Sequence, residues 1–164
     1  ERAKGSDEIS SICSYCARMK RGIIYSTARR EGYNVLAMGQ HLDDLCESFL
    51  MSTFHNGMMR TMKAHYTNKE GDLRIIRPFV YTRERDLAAF AKKSKLPVIA
   101  ENCPACFEAP TERKRMKLLL AQQEILFPKI FYSLRIAIKP LMAINMTGKE
   151  SGSSTPWSAG SDRK

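Results

Sequence analysis

The stretch that decides the fold reads Val35-Leu36-Ala37-Met38-Gly39-Gln40-His41-Leu42-Asp43-Asp44. Its first four residues form a short, unbroken apolar run, the pattern of a strand buried on both faces of a parallel sheet. Gly39 ends the run, and Gln40-His41-Leu42 make a tight connection. Asp43 and Asp44 then fall in the first turn of a helix predicted to reach about His55, ahead of Asn56-Gly57. Carboxylates are favoured at that end by the unpaired backbone N–H groups. Leu45, Phe49, Leu50, Thr53 and Phe54 supply the apolar side of this helix.

Upstream, Ile12, Tyr15, Met19, Ile23 and Ala28 recur near helical spacing. They predict a helix from Ser11 to Glu31 with Gly32 as its C-cap. Residues 1–10 are polar and read as a disordered lead. Downstream, Met58 to Asp72 reads as a loop, followed by a strand over Leu73 to Ile76 that Pro78 stops or confines to an edge. Thr82 is expected to cap a helix from Arg83 to Lys95, with Leu87, Phe90 and Ala91 turned inward. A third strand is predicted at Pro97 to Ala100. Thr111 then caps a basic helix ending near Phe127-Pro128, and a last helix runs from Lys129 to Leu141. Residues 143–164, rich in Ser, Gly and Thr, read as a flexible tail. The alternation of helix and strand over residues 11–142 predicts an α/β domain whose mostly parallel sheet is flanked by helices. Ligands gather at the carboxyl ends of strands in such sheets. Gly39-Gln40-His41 and Glu101-Asn102-Cys103 lie at two of these ends.

The net charge of +10 and pI near 9.6 favour a polyanionic partner, since Lys and Arg attract phosphates without sequence preference. No apolar run is long enough to span a bilayer and no signal peptide opens the chain. A cytoplasmic protein with reduced thiols is therefore expected, with no membrane partner. The sequence starts at Glu1 rather than Met, which reads as a piece of a longer product.

Four of the five cysteines form two CxxC pairs, Cys13/Cys16 and Cys103/Cys106. In a reducing compartment such pairs point to metal or redox chemistry. Cys46, alone in an apolar stretch, reads as a small buried hydrophobe. Cys13, Cys16 and Lys20 fall at i, i+3 and i+7, one face of a helix. An ammonium group there favours thiolate over thiol. Paired CxxC motifs suit a closed zinc tetrahedron. A whole α/β unit separates the pairs, however, and joining distant elements suits an iron–sulfur centre equally well. The residues leave both open.

The Gly39–Asp44 turn has a glycine that permits close approach and two carboxylates that can hold a nucleotide with Mg²⁺. The plainer reading is that Asp43 and Asp44 only cap the helix. Likewise Arg113, Lys114, Arg115 and Lys117 either grip nucleic-acid phosphates or form a solvated basic face. Arg60, Lys63, Arg74, Arg77, Arg83 and Arg85 add positive charge, with no spacing that makes them one patch.

Four motifs occur in a recognisable order: Cys13-Ser14-Tyr15-Cys16-Ala17-Arg18-Met19-Lys20-Arg21-Gly22, Met38-Gly39-Gln40-His41-Leu42-Asp43-Asp44, Ile76-Arg77-Pro78-Phe79 and Asn102-Cys103-Pro104-Ala105-Cys106. From about Ile12 to Arg115 the chain resembles the tRNA 2-thiocytidine synthetase branch of the PP-loop ATP pyrophosphatases. The resemblance implies a Rossmann-like, adenine nucleotide α-hydrolase-like fold. It implies ATP- and Mg²⁺-dependent adenylation of a cytidine in the tRNA anticodon loop, then replacement of the activated oxygen by sulfur. It also implies a 4Fe-4S cluster held by Cys13, Cys16 and Cys106, with Cys103 nearby but not required. Lys20 and Asp44 match residues implicated in catalysis, and Gly39 and His41, with Asp43, would lie along the nucleotide pocket. The implied partners are tRNA, a sulfur donor such as a cysteine desulfurase system, and a second copy in a homodimer.

The family's phosphate-gripping loop, Ser-Gly-Gly-x-Asp-Ser, does not occur in these residues. By that comparison the chain is a C-terminal part whose N-terminal half is missing, and it should be inactive alone. Two other readings compete: a zinc-binding basic RNA-binding module, and a non-catalytic remnant of the same fold.

Overall fold

The computed structural model describes residues 5–99 and 111–143. Eight elements follow one another: α1 (Gly5–Arg30), β1 (Val35–Ala37), α2 (Leu42–Asn56), β2 (His65–Thr67), β3 (Arg74–Ile76), α3 (Glu84–Lys93), α4 (Glu112–Leu126) and α5 (Ile130–Ala143). The α/β class is as expected. The helix containing the first CxxC starts at Gly5 rather than Ser11.

The sheet has the order β1-β3-β2. β1 runs parallel to β3, with Val35, Leu36 and Ala37 opposite Arg74, Ile75 and Ile76. β2 is antiparallel to β3. The sheet is therefore mixed rather than mostly parallel. The difference lies in the expected Met58–Asp72 loop, which contains β2 and a tight turn back to β3. Asn68 builds that turn. Its side-chain oxygen accepts from the Leu73 N–H at 3.0 Å, and its amide donates to Asp72 at 2.6 Å. Gly71 takes a φ of 82°, a conformation that side chains resist.

β1 is an edge among the described residues, so Val35 and Ala37 are exposed instead of buried on both faces. Residues 97–99 are not a strand. Val98 and Ile99 are 75% and 92% exposed, because no described strand lies alongside to accept their backbone. Ala100 lies outside the described residues. α3 buries no residue, and Phe90 is 62% exposed rather than inward.

Two apolar clusters hold the rest. Ala28 of α1 packs on Leu73 and Ile75, with Tyr25, Met38 and Tyr66 at the margin. The second joins Leu42, Leu45 and Cys46 of α2 to Leu120 of α4 and to Phe131, Ile138 and Met142 of α5. α2 is thus packed against α4 and α5. Gly57, at φ 61°, closes it with N–H bonds back to Ser52 and Thr53. No helix among the described residues is long and apolar enough to cross a membrane.

Candidate functional site at the β1 to α2 turn

β1 ends into a turn that delivers His41 as the N-cap of α2. The His41 N–H donates to Asp44 Oδ2 at 3.1 Å, and the Asp44 N–H donates to His41 Nδ1 at 3.4 Å. This reciprocal box satisfies two backbone donors that a helix start otherwise leaves bare. A Cβ added to Gly39 would meet no described atom within 4 Å. Packing among the described residues therefore does not demand glycine there. Gln40 Oε1 accepts from Arg77 Nε at 3.0 Å, while Arg77 Nη1 donates to the Lys63 carbonyl at 2.6 Å. These bonds tie the turn to the end of β3.

The two aspartates have separate tasks. Asp43 is buried and accepts from Arg83 Nε at 3.2 and 3.3 Å and from the Glu84 N–H at 2.8 Å. It caps α3, the role expected of Thr82. Arg83, the N-cap residue of α3, makes no side-chain cap bond of its own. Arg83 also forks onto Glu124 of α4 at 2.7 and 3.0 Å, its guanidinium lying 3.3 Å from the Phe131 ring centroid. Asp44 remains partly exposed and accepts from Arg113 Nη1 at 2.8 Å.

One turn further along α2, Glu47 is only 3% exposed, with Arg113 at 3.4 Å. Burial pushes its carboxyl up to about 7, against the opposing pull of Arg113. Lys117 closes the arrangement on Glu84 at 2.7 Å. The cavity enclosed by Asp43, Glu47, Arg83, Lys117 and Glu124 measures about 90 Å³, well short of the roughly 300 Å³ at which ligand pockets begin. It is a structural knot of charge rather than a substrate pocket. Cys46 sits beneath it, fully buried, with its thiol pushed up to about 12 chiefly by burial.

The structure thus brings together Gly39, His41, Asp43 and Asp44. Cys16 is half-buried and Lys20 exposed on α1, and no described hydrogen bond or ion pair joins either to the turn. Cys13 lies on the α1 backbone, but its side chain, like Cys103 and Cys106, is outside the described residues. Among the described residues no three His, Cys, Asp or Glu side chains converge as a metal site.

Sequence reasoning misses Arg83, Arg113 and Gln40 as the residues that orient this turn. Spacing alone reads Arg83 and Arg113 as general positive charge. Their partners lie 40 to 69 positions away, beyond any local rule. The basic face of α4 is largely engaged: Arg113 with Asp44 and Glu47, Arg115 with Glu112, Lys117 with Glu84.

A family model described as the PP-loop domain matches residues 4–119. Over 129 residues the chain is 41% identical to the tRNA-cytidine(32) 2-sulfurtransferase of Geobacter sulfurreducens, covering 79% of this chain and 50% of that protein. It is 41% identical over 120 residues to the enzyme of the same name from Sinorhizobium fredii, covering 73% and 40%. The chain therefore spans about half the length, or less, of these relatives. Among solved structures, the U34-tRNA thiolase NcsA from Methanococcus maripaludis with its 4Fe-4S cluster superposes with a TM-score of 0.63 at 22% identity, over 81% of this chain and 45% of that one. That likeness concerns the fold.

Proposed function

We propose that this chain, which belongs to the PP-loop domain family, is the cluster-bearing portion of a tRNA sulfurtransferase that converts a cytidine to 2-thiocytidine. The observation that carries the reading is 39–42% identity to proteins of that activity over 69–86% of the chain. In the proposed reaction the cytidine oxygen attacks the α-phosphorus of ATP and pyrophosphate leaves. A sulfur nucleophile then bonds to the same carbon, the C–O bond breaks, and AMP departs. An oxide would be a far worse leaving group, which is why the activation step is needed.

Thiolate donors suit an iron–sulfur cluster, and Cys16 meets the requirement of a thiol not sealed in the core. Cys13, Cys16 and Cys106 are the proposed ligands. A 4Fe-4S cluster bound there would supply an iron from which sulfur is delivered. Lys20, one turn beyond Cys16, would balance the negative charge that develops as sulfur attacks. Gly39 and His41 would line the nucleotide side of the turn, where no described atom lies within 4 Å of a Cβ added to Gly39. Asp44, steadied by the His41 N–H and Arg113, is the proposed activating carboxylate.

Asp43 has both oxygens engaged by Arg83 and the Glu84 N–H, so it shapes the nucleotide side by holding the turn. Asp43, buried and held in this way, does not fit Mg²⁺ as a ligand, and no step of the proposed reaction runs through the ion.

Anaerobic reconstitution of the chain with iron and sulfide tests the reading. About four irons and four sulfides per chain are expected, with a brown chromophore lost in Cys106→Ser. One zinc per chain, colourless and stable in air, would replace the reading with a zinc-binding RNA module. Expression of the complete gene in a host lacking 2-thiocytidine, followed by nucleoside mass spectrometry, tests the reaction. Absence of 2-thiocytidine despite soluble, cluster-loaded protein would refute it.

A further inference from the structure

We infer that the groove between α1 and the β2–β3 turn is a binding track for the RNA phosphodiester backbone. Arg18, Arg21, Tyr25 and Arg29 line it from α1, and Tyr66 and Lys69 from the opposite wall, around a volume of about 470 Å³. The four α1 residues are spaced by three or four, so they share one face of the helix. Arg18 to Arg29 spans roughly 16 Å at 1.5 Å per residue, enough for several successive phosphates.

What separates this surface from the charged faces of α2 and α4 is the state of its cations. Around α2 and α4, Arg83, Arg113, Arg115 and Lys117 are all bound to carboxylates. In the groove, Arg29 is held by Asp72 at 2.6 Å and by Glu70 at 3.5 Å. Arg18, Arg21 and Lys69 are exposed and have no carboxylate partner among the described residues. Three uncompensated cations facing one concavity favour a polyanion.

The groove floor narrows the choice of polyanion. The Tyr25 and Tyr66 hydroxyls lie 3.2 Å apart, and Arg77 sits 5.6 Å over the Tyr66 ring. Hydroxyl donors and aromatic edges beside guanidinium groups match phosphate, ribose hydroxyl and base better than they match an acidic helix. Arg18 and Arg21 flank Lys20 in sequence, one turn or so beyond Cys16. An RNA strand laid in the groove would therefore run toward the cysteine-bearing end of α1. That last step rests on the thiolation reading, but the groove itself does not.

The test is fluorescence anisotropy of the 164-residue chain with a labelled, unmodified tRNA transcript, at salt from about 50 to about 300 mM. The groove variant is Arg18→Ala/Arg21→Ala/Lys69→Ala. Lys92→Ala/Lys93→Ala/Lys95→Ala removes the same charge from an exposed site elsewhere. Each lost phosphate contact lowers the slope of log affinity against log salt by about 0.7 to 0.9. The groove variant should therefore lose about 2 to 3 from the slope, and the control well under about 1. Arg18→Lys/Arg21→Lys should keep the wild-type slope, because a lysine still meets a phosphate.

Equal losses in both triple variants would reduce the effect to net charge and overturn the inference. Competition by poly-glutamate as strong as by unlabelled RNA would assign the groove to an acidic protein instead, also overturning it. Both variants are compared at matched circular dichroism, so misfolding is seen separately. Failure here leaves cluster assembly untouched, whereas failure of the cluster test leaves this binding curve unchanged.

Discussion

Glu47→Gln should make the chain more stable at neutral pH, although it removes a charge that faces Arg113. The carboxyl is 3% exposed and its proton affinity is raised from 4.5 to about 7, first by burial. Between these values the folded chain keeps a proton that the unfolded chain has lost. Stability must then fall as pH rises through that window and level off above it. At 1.36 kcal/mol per decade of proton affinity, the loss amounts to about 3 kcal/mol. Glutamine keeps the shape and never ionises, so the variant escapes this loss. The attraction of Arg113 at 3.4 Å is already contained in that proton affinity, so losing the ion pair takes nothing further from the gain. Urea denaturation followed by circular dichroism at about pH 4.5, 6 and 8 measures the difference. Wild type and variant should lie close together at the acid end and separate by about 2 to 3 kcal/mol at the alkaline end, with the variant ahead. Parallel profiles, or a wild type that is the more stable in alkali, would refute the argument from burial.

Other outcomes follow from single features. Iodoacetamide in mild alkali should modify Cys16 in the native chain and leave Cys46 intact until denaturant is added; mass spectrometry of peptides would show this, and native labelling of Cys46 would contradict its burial. Gly57→Ala should cost about 1 kcal/mol from its φ of 61° alone, since its added Cβ meets no described atom within 4 Å; a neutral result in urea melts would count against the left-handed cap. Arg83→Met should cost about 3 to 5 kcal/mol by leaving two carboxylates facing each other without their cation. Arg115→Ala, which breaks an exposed pair at 2.9 Å, should stay within about 0.5 kcal/mol, so comparable losses in the two would refute the distinction.

The parts of the fold legible in the sequence are those with local causes. The apolar run from Val35, the acidic first turn after His41 and the glycine after Asn56 place β1 and α2 nearly as observed. The half-buried strand β2 escapes such reading because His65-Tyr66-Thr67 carries only one apolar residue, and its pairing depends on the Asn68 turn. Helical periodicity turns Phe90 inward, but periodicity reports an apolar stripe and not what covers it. The candidate turn is visible through its glycine and carboxylates. The division of labour between Asp43 and Asp44 is not, because it is decided by arginines brought from α3 and α4 by tertiary folding.

α3 illustrates a consequence of being fastened mainly by charge among the described residues. Its foot is bound through the Asp43 cap and the Glu84–Lys117 pair, while none of its length is sealed in the interior. Rising ionic strength should loosen this helix before the rest of the molecule, and amide exchange along residues 84–93 would register it as a hinged flap on an otherwise steady body.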